Sequence, residues 1–137
     1  MEALQVVKYH DTQQFREHTD WFDAEMDEGV KKHGNRLSSF FVYLVANCTG
    51  GTTVFTKVQR PKAPEWCDVL VCQNDAGEET ERVEVRPKVG TAIFWFDLDP
   101  NGVGDEMTMH AGAPVINGTK VGLNIWTRER AWRLSQS

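Results

Sequence analysis

His18 and Asp20 stand two residues apart, so on an extended strand both side chains project to the same side. A histidine and a carboxylate so placed are two thirds of the facial triad that holds a divalent metal. The pair alone is unspecific, and a third ligand must come from His10, His33 or His110. His10 begins a turn and His33 lies in a polar segment, which places both on the surface. His110 lies in the apolar stretch Met107–Val115, where an unpaired imidazole is costly, so it is either a hydrogen-bonded structural residue or a ligand. Ten residues on, Lys120 opens the stretch Lys-Val-Gly-Leu-Asn-Ile-Trp. Strand parity puts Lys120, Gly122, Asn124 and Trp126 on one face and Val121, Leu123 and Ile125 on the other, a plain core face. An ammonium turned into a barrel needs an anion. No acid shares that strand, so a ligand carboxylate is the natural counterion.

The elements that must position these residues read as strands. Leu4–Tyr9 alternates, Leu37–Ala46 is a strongly apolar strand with Tyr43 on the face of Leu37, Ser39 and Phe41, and Gly50-Gly51 turns the chain into Thr52–Phe55. Gly29–Arg36 continues a short helical turn from Asp23. Residues 58–81 read as an insertion loop with one strand, Asp68–Cys72. Strands resume at Arg82–Arg86 and Thr91–Leu98, and Asp97–Asp105 is a loop. Met107–Val115 and Lys120–Arg128 read as a hairpin about Asn117-Gly118, a dipeptide suited to a type I′ turn. About eight short strands punctuated by turns indicate a mainly β chain, a sandwich or jelly roll.

The chain has 137 residues, enough for one domain over 1–137. Its 15 basic and 20 acidic residues give a net charge of −5, which argues against nucleic acid or an anionic membrane as partner. Seven acids against Arg16 alone fill residues 11–28, a solvated face that would also suit a basic peptide. No apolar run approaches the roughly 18–20 residues of a membrane span. The opening residues lack a signal peptide's basic start and long apolar run, which favours the cytoplasm. The sequons Asn47-Cys48-Thr49 and Asn117-Gly118-Thr119 keep the secretory pathway open. On a straight strand Cys67 and Cys72 would lie about 16 Å apart. Bridging them needs a turn that brings their Cα atoms within about 7 Å, so buried thiols are the expectation.

In order along the chain, Leu4–Tyr9, Phe15–Asp20, Tyr43-Leu44, Gly50–Phe55, Val85–Trp95, Gly104-Asp105, His110–Val115 and Gly118–Trp126 resemble the Fe(II)- and 2-oxoglutarate-dependent dioxygenases, prolyl 4-hydroxylase branch. The resemblance implies a double-stranded β-helix in which His18, Asp20 and His110 are the catalytic Fe(II) ligands. Lys120 would meet the far carboxylate of 2-oxoglutarate, with Tyr43 helping to hold it and Tyr9 lining the same pocket. Trp126 and Asn124, on the face of Lys120, would line the pocket too. The implied reaction consumes O2, converts 2-oxoglutarate to succinate and CO2, and hydroxylates a substrate carbon, with ascorbate as reductant. The family's N-terminal flanking helices are missing ahead of the first strand, so the chain reads as truncated there. The apolar sheet surface thus exposed could pair two copies in a homodimer. Residues 58–81 match no block of the family, and in the family such loops shape the substrate entrance. The substrate implied is a prolyl residue in a peptide or protein. The alternatives are the same chemistry on a free amino acid or small metabolite, and a catalytically impaired jelly-roll binding module.

Overall fold

The computed structural model describes residues 1–23, 25 and 27–130. Its strands are β1 (Gln5–Tyr9), β2 (Phe15–His18), β3 (Arg36–Gly50), β4 (Thr53–Gln59), β5 (Arg82–Val85), β6 (Ala92–Phe96), β7 (His110–Gly112) and β8 (Val115–Arg128). They form two antiparallel four-stranded sheets, ordered β1-β8-β3-β6 and β2-β7-β4-β5. This is the jelly-roll arrangement expected of the sequence. Among the described residues the α-helix α1 (Glu28–His33) starts where the Asp27 carboxylate accepts the Val30 N–H and ends at Gly34. It covers part of the helical turn read through Gly29–Arg36, whereas Arg36 already opens β3; residues 24 and 26 of the stretch from Asp23 lie outside the described residues.

The long pair β3–β8 is the spine of the first sheet, running in register from Arg36↔Arg128 to Gly50↔Val115 with three irregularities. β8 is continuous through Asn117-Gly118, so the expected hairpin is absent. Gly118 adopts φ +96° inside the strand, and a Cβ there would lie 2.2 Å from the Asn47 carbonyl oxygen. Glycine at this position accommodates a close cross-strand approach rather than a turn. Nor does Met107–Val115 form one strand. A 3-10 turn over Glu106–Thr108 precedes the short β7, which pairs with β2 and β4 in the other sheet.

The parity assigned to β8 holds and Lys120 turns inward as expected, but the opposite, apolar face points outward. Lys120, Gly122 and Trp126 are buried between the sheets, whereas Val121, Leu123 and Ile125 are half-buried on the outside. The apolar set is therefore not the core face. Phe40, Leu44, Phe94 and Phe96 share this outer side and are exposed. Phe40 and Phe94, directly paired across β3 and β6, bring their ring centroids to 4.6 Å. The inner core gathers Phe41, Tyr43, Leu70 and Val85. Leu37 departs from the face of Ser39, Phe41 and Tyr43: a register shift between Arg36 and Ser38 leaves it 40% exposed.

Residues 61–81 contribute one buried side chain, Leu70, bridged to Val85, and no strand at 68–72. A 3-10 turn over Pro64–Asp68 curls the chain instead, closed by Val69 and Leu70 N–H groups on the Trp66 carbonyl. That turn brings the Cα atoms of Cys67 and Cys72 to 5.5 Å in a disulfide, which corrects the expectation of buried thiols for this pair. Cys48 keeps a free, half-buried thiol.

Gly122 faces Val7 and Tyr43 in register, and a Cβ there would meet the Phe41 ring at 2.2 Å. The ring fills the gap that glycine leaves. Gly122→Ala is expected to destabilise the fold by about 1–3 kcal/mol through overpacking. Urea unfolding checks this, and an unchanged midpoint would contradict the packing.

Candidate active site

β2 and β7 place His18 directly opposite His110, with ring centroids 4.3 Å apart. Directly opposed residues share a face, so both rings point between the sheets. β2 ends at His18, and the chain bends so that Asp20, 5% exposed, reaches the same point. Asp20 Oδ1 lies 3.4 Å from His18 Nε2 and 3.9 Å from His110 Nε2. Ligand atoms of these three residues fall within 4.8 Å of one another, a group able to hold a metal ion.

The surrounding hydrogen bonds fix which atoms remain free. His18 Nδ1 meets the Arg16 carbonyl at 2.7 Å and His110 Nδ1 meets the Thr108 carbonyl at 2.8 Å. A carbonyl only accepts, so each Nδ1 carries a hydrogen and, in the neutral ring, leaves Nε2 with its lone pair toward Asp20. Asp20 Oδ2 sits 2.7 Å from the Ser39 hydroxyl and accepts from Trp126 Nε1 at 3.0 Å, leaving Oδ1 toward the histidines. Burial alone would raise the Asp20 carboxyl. When the rings are protonated, the hydrogen bond from His18 Nε2 and the His110 charge, together with the Ser39 and Trp126 donors, instead hold it well below the usual carboxylate range. Burial likewise works against a charged His18, but Asp20 and the Arg16 carbonyl outweigh it and raise its pKa. For His110, burial dominates and lowers it.

These residues line a cavity of about 420 Å³ between the sheets. Lys120 lies in its wall, 1% exposed. Its Nζ donates to the Gly51 carbonyl at 2.7 Å and stands 4.7 Å over the ring of Tyr9, its register partner on β1. Among the described residues no carboxylate forms an ion pair with it. Asn124 lines the cavity and donates to Gln5 Oε1 at 3.0 Å. Tyr43 stands one layer behind: its hydroxyl, fully buried, lies 2.6 Å from Thr53 Oγ1, and Thr53 reaches the cavity. His10 is exposed and His33 half-buried, and neither joins the cluster.

Several cavity residues escaped the sequence reading. Arg36, stacked 3.6 Å over Trp126 and doubly bonded to Glu2, closes one end. Trp95, Phe41 and Phe15 form apolar walls. Trp95 was detectable by parity, since alternation along β6 turns it inward and Phe94 and Phe96 out.

A family model described as the 2OG-Fe(II) oxygenase superfamily matches residues 4–128. The chain belongs to this superfamily. Among relatives of this chain, the chicken (Gallus gallus) prolyl 4-hydroxylase subunit alpha-2 is 35% identical over 129 residues, 94% of this chain and 20% of that protein. Prolyl 4-hydroxylase 2 of Arabidopsis thaliana is 30% identical over 128 residues, 91% of this chain and 40% of that protein. The chain thus spans between a fifth and two fifths of the length of these two relatives. Its fold is shared with the viral collagen prolyl hydroxylase of Paramecium Bursaria Chlorella virus-1, solved as a 2OG complex. The TM-score is 0.63 at 29% identity, over 91% of this chain and 57% of that one. A Pseudomonas putida prolyl-4-hydroxylase, 19% identical over 93% of this chain and 52% of that one, shares the fold at a TM-score of 0.53.

Burial pushes the Lys120 ammonium down from 10.5 to about 8. Unfolded chains therefore bind more protons than folded ones between those values, and stability should rise with pH across that window. Urea unfolding at pH 8 and pH 10 should show wild type gaining stability relative to Lys120→Met. Equal pH dependence of the two would contradict the burial of a charged lysine.

Proposed function

We propose that this oxygenase hydroxylates prolyl residues in peptides or proteins, using Fe(II) bound by His18, Asp20 and His110 together with 2-oxoglutarate and O2. The observation that carries the reading is a buried ammonium, without a carboxylate partner among the described residues, in the same cavity as a His-Asp-His cluster able to hold a metal. Two imidazole nitrogens and one carboxylate oxygen suit Fe(II) and leave coordination positions open. A dicarboxylate that reaches the metal at one end and Lys120 at the other supplies the missing anion. When bound, iron and 2-oxoglutarate supply the oxidising chemistry, in which one O2 yields succinate, CO2 and one hydroxyl on the substrate carbon.

The chain's own groups do the positioning. Lys120 holds the far carboxylate by a charge-assisted hydrogen bond in a water-poor wall, with Thr53 and the Tyr43 hydroxyl behind it adding polar contacts. Tyr9 lies beneath the ammonium and keeps it desolvated. Trp126 restrains Asp20, while Asn124 and Gln5 hold the β1–β8 side of the cavity. Phe15, Trp95 and Phe41 offer apolar walls to a ring-shaped substrate group. Ascorbate is the reductant we assign to keep the iron ferrous.

The prolyl reading is supported by the prolyl 4-hydroxylases among the relatives. A peptide panel with and without proline, incubated with Fe(II), 2-oxoglutarate and ascorbate, should gain one oxygen by mass only where proline is present. Gain by a free amino acid alone, with no peptide modified, would favour the small-metabolite reading. His18→Ala, Asp20→Ala and His110→Ala should each abolish succinate formation. Lys120→Ala should raise the 2-oxoglutarate KM roughly tenfold to a hundredfold, the loss of a charge-assisted contact worth roughly 1.5–3 kcal/mol. An unchanged KM would remove Lys120 from this role.

A further inference from the structure

Ser39 lies between two buried carboxylates. Its Oγ is 2.7 Å from Asp20 Oδ2 and 2.8 Å from Asp97 Oδ2, and Ser39 and Asp97 are 1% and 0% exposed. Both separations are those of hydrogen-bonded oxygens, yet a hydroxyl carries one hydrogen. The second hydrogen must come from a carboxylic acid, since two lone-pair oxygens at this distance with no hydrogen between them repel.

The surroundings decide which acid. Asp20 faces two histidines and accepts from Trp126 Nε1, an environment that stabilises its anion. Asp97 has one further side-chain donor, Trp95 Nε1 at 2.9 Å from Oδ1, and among the described residues it forms no ion pair. Burial, with the charge of Asp20 adding to it, pushes the Asp97 carboxyl up to about 7, against the opposing pull of Ser39, Trp95 and the Arg36 charge.

We infer that Asp97 is a positioning residue that donates a hydrogen bond to Ser39, which donates in turn to Asp20 Oδ2, so that Asp20 offers only Oδ1 to the metal. The inference rests on Asp20 being a metal ligand. With Oδ2 accepting from both Ser39 and Trp126, its lone pairs are used and Asp20 binds through one oxygen. The coordination positions opposite the triad then stay open for the dicarboxylate and O2. Asp97 touches neither metal nor substrate and acts through Ser39.

The test titrates Co(II), a spectroscopic substitute for Fe(II), into wild type, Asp97→Asn, Asp97→Leu and Ser39→Ala, with infrared spectra of the same proteins. In Asp97→Asn the new amide can donate from its nitrogen to Ser39 and accept from Trp95 at its oxygen. That variant should keep wild-type Co(II) affinity and visible spectrum while losing one carboxylic-acid carbonyl band. Asp97→Leu and Ser39→Ala should weaken Co(II) binding by about tenfold or more, the usual effect of removing a ligand's outer hydrogen-bond partner, and alter the Co(II) spectrum. If Asp97→Leu fails to fold, the contrast between Asp97→Asn and Ser39→Ala decides. Asp97→Asn as weak as Ser39→Ala, or Ser39→Ala with unaltered affinity and spectrum, would overturn the relay. Failure of wild type to bind Co(II) would overturn the metal reading instead. The infrared band then judges the hydrogen-bond chain alone, and its absence from wild type overturns it.

Discussion

Antiparallel register across the first sheet is the constraint on which the site depends. Trp126, Ser39 and Trp95 are directly opposed neighbours on β8, β3 and β6, so all three point inward as one row. From that row come the Trp126 and Ser39 contacts to Asp20 and the Ser39 and Trp95 contacts to Asp97. The second sheet answers with its own row, in which His18 opposes His110 and His110 opposes Phe55. Trp95 packs 4.9 Å from the His110 ring and 5.2 Å from Phe55. A slip of one residue in either sheet would turn these side chains to the outside.

The same register sets the far end of the cavity. Tyr9 opposes Lys120, Gly122 opposes Tyr43, and Phe41 opposes Asn124. The absent side chain at Gly122 lets the Phe41 ring lie against β8, and Phe41 stands edge-on to Tyr43 at 5.1 Å. Tyr9 lies against the Lys120 ammonium, whose burial disfavours its charge.

Much of the site was legible in the sequence because its carriers are regular. Parity along β8 put Lys120, Asn124 and Trp126 on one face, and the spacing of His18 and Asp20 survived although β2 ends at His18. What parity cannot tell is which face is inside. An interior that is a polar cavity inverts the rule that apolar faces are buried, so Val121, Leu123 and Ile125 were misplaced. Asn117-Gly118 misled because a positive φ can serve a close approach within a strand as well as a turn. The Cys67–Cys72 bridge depended on a 3-10 turn that no periodicity announces. Asp97 left a faint signal, an acid two residues beyond Trp95 on the inward parity of β6. Its partnership with Ser39 spans 58 positions and emerges only from the β3–β6 pairing.

In the proposed function, one cavity holds a metal at His18, Asp20 and His110 and a dicarboxylate between that metal and Lys120. Calorimetric titration of 2-oxoglutarate under anaerobic conditions, into protein loaded with Fe(II) and into protein stripped with chelator, tests it most directly. One site per chain is expected, with tight binding only in the metal-loaded protein. Binding that is equal with and without metal, or absent from both, would contradict it.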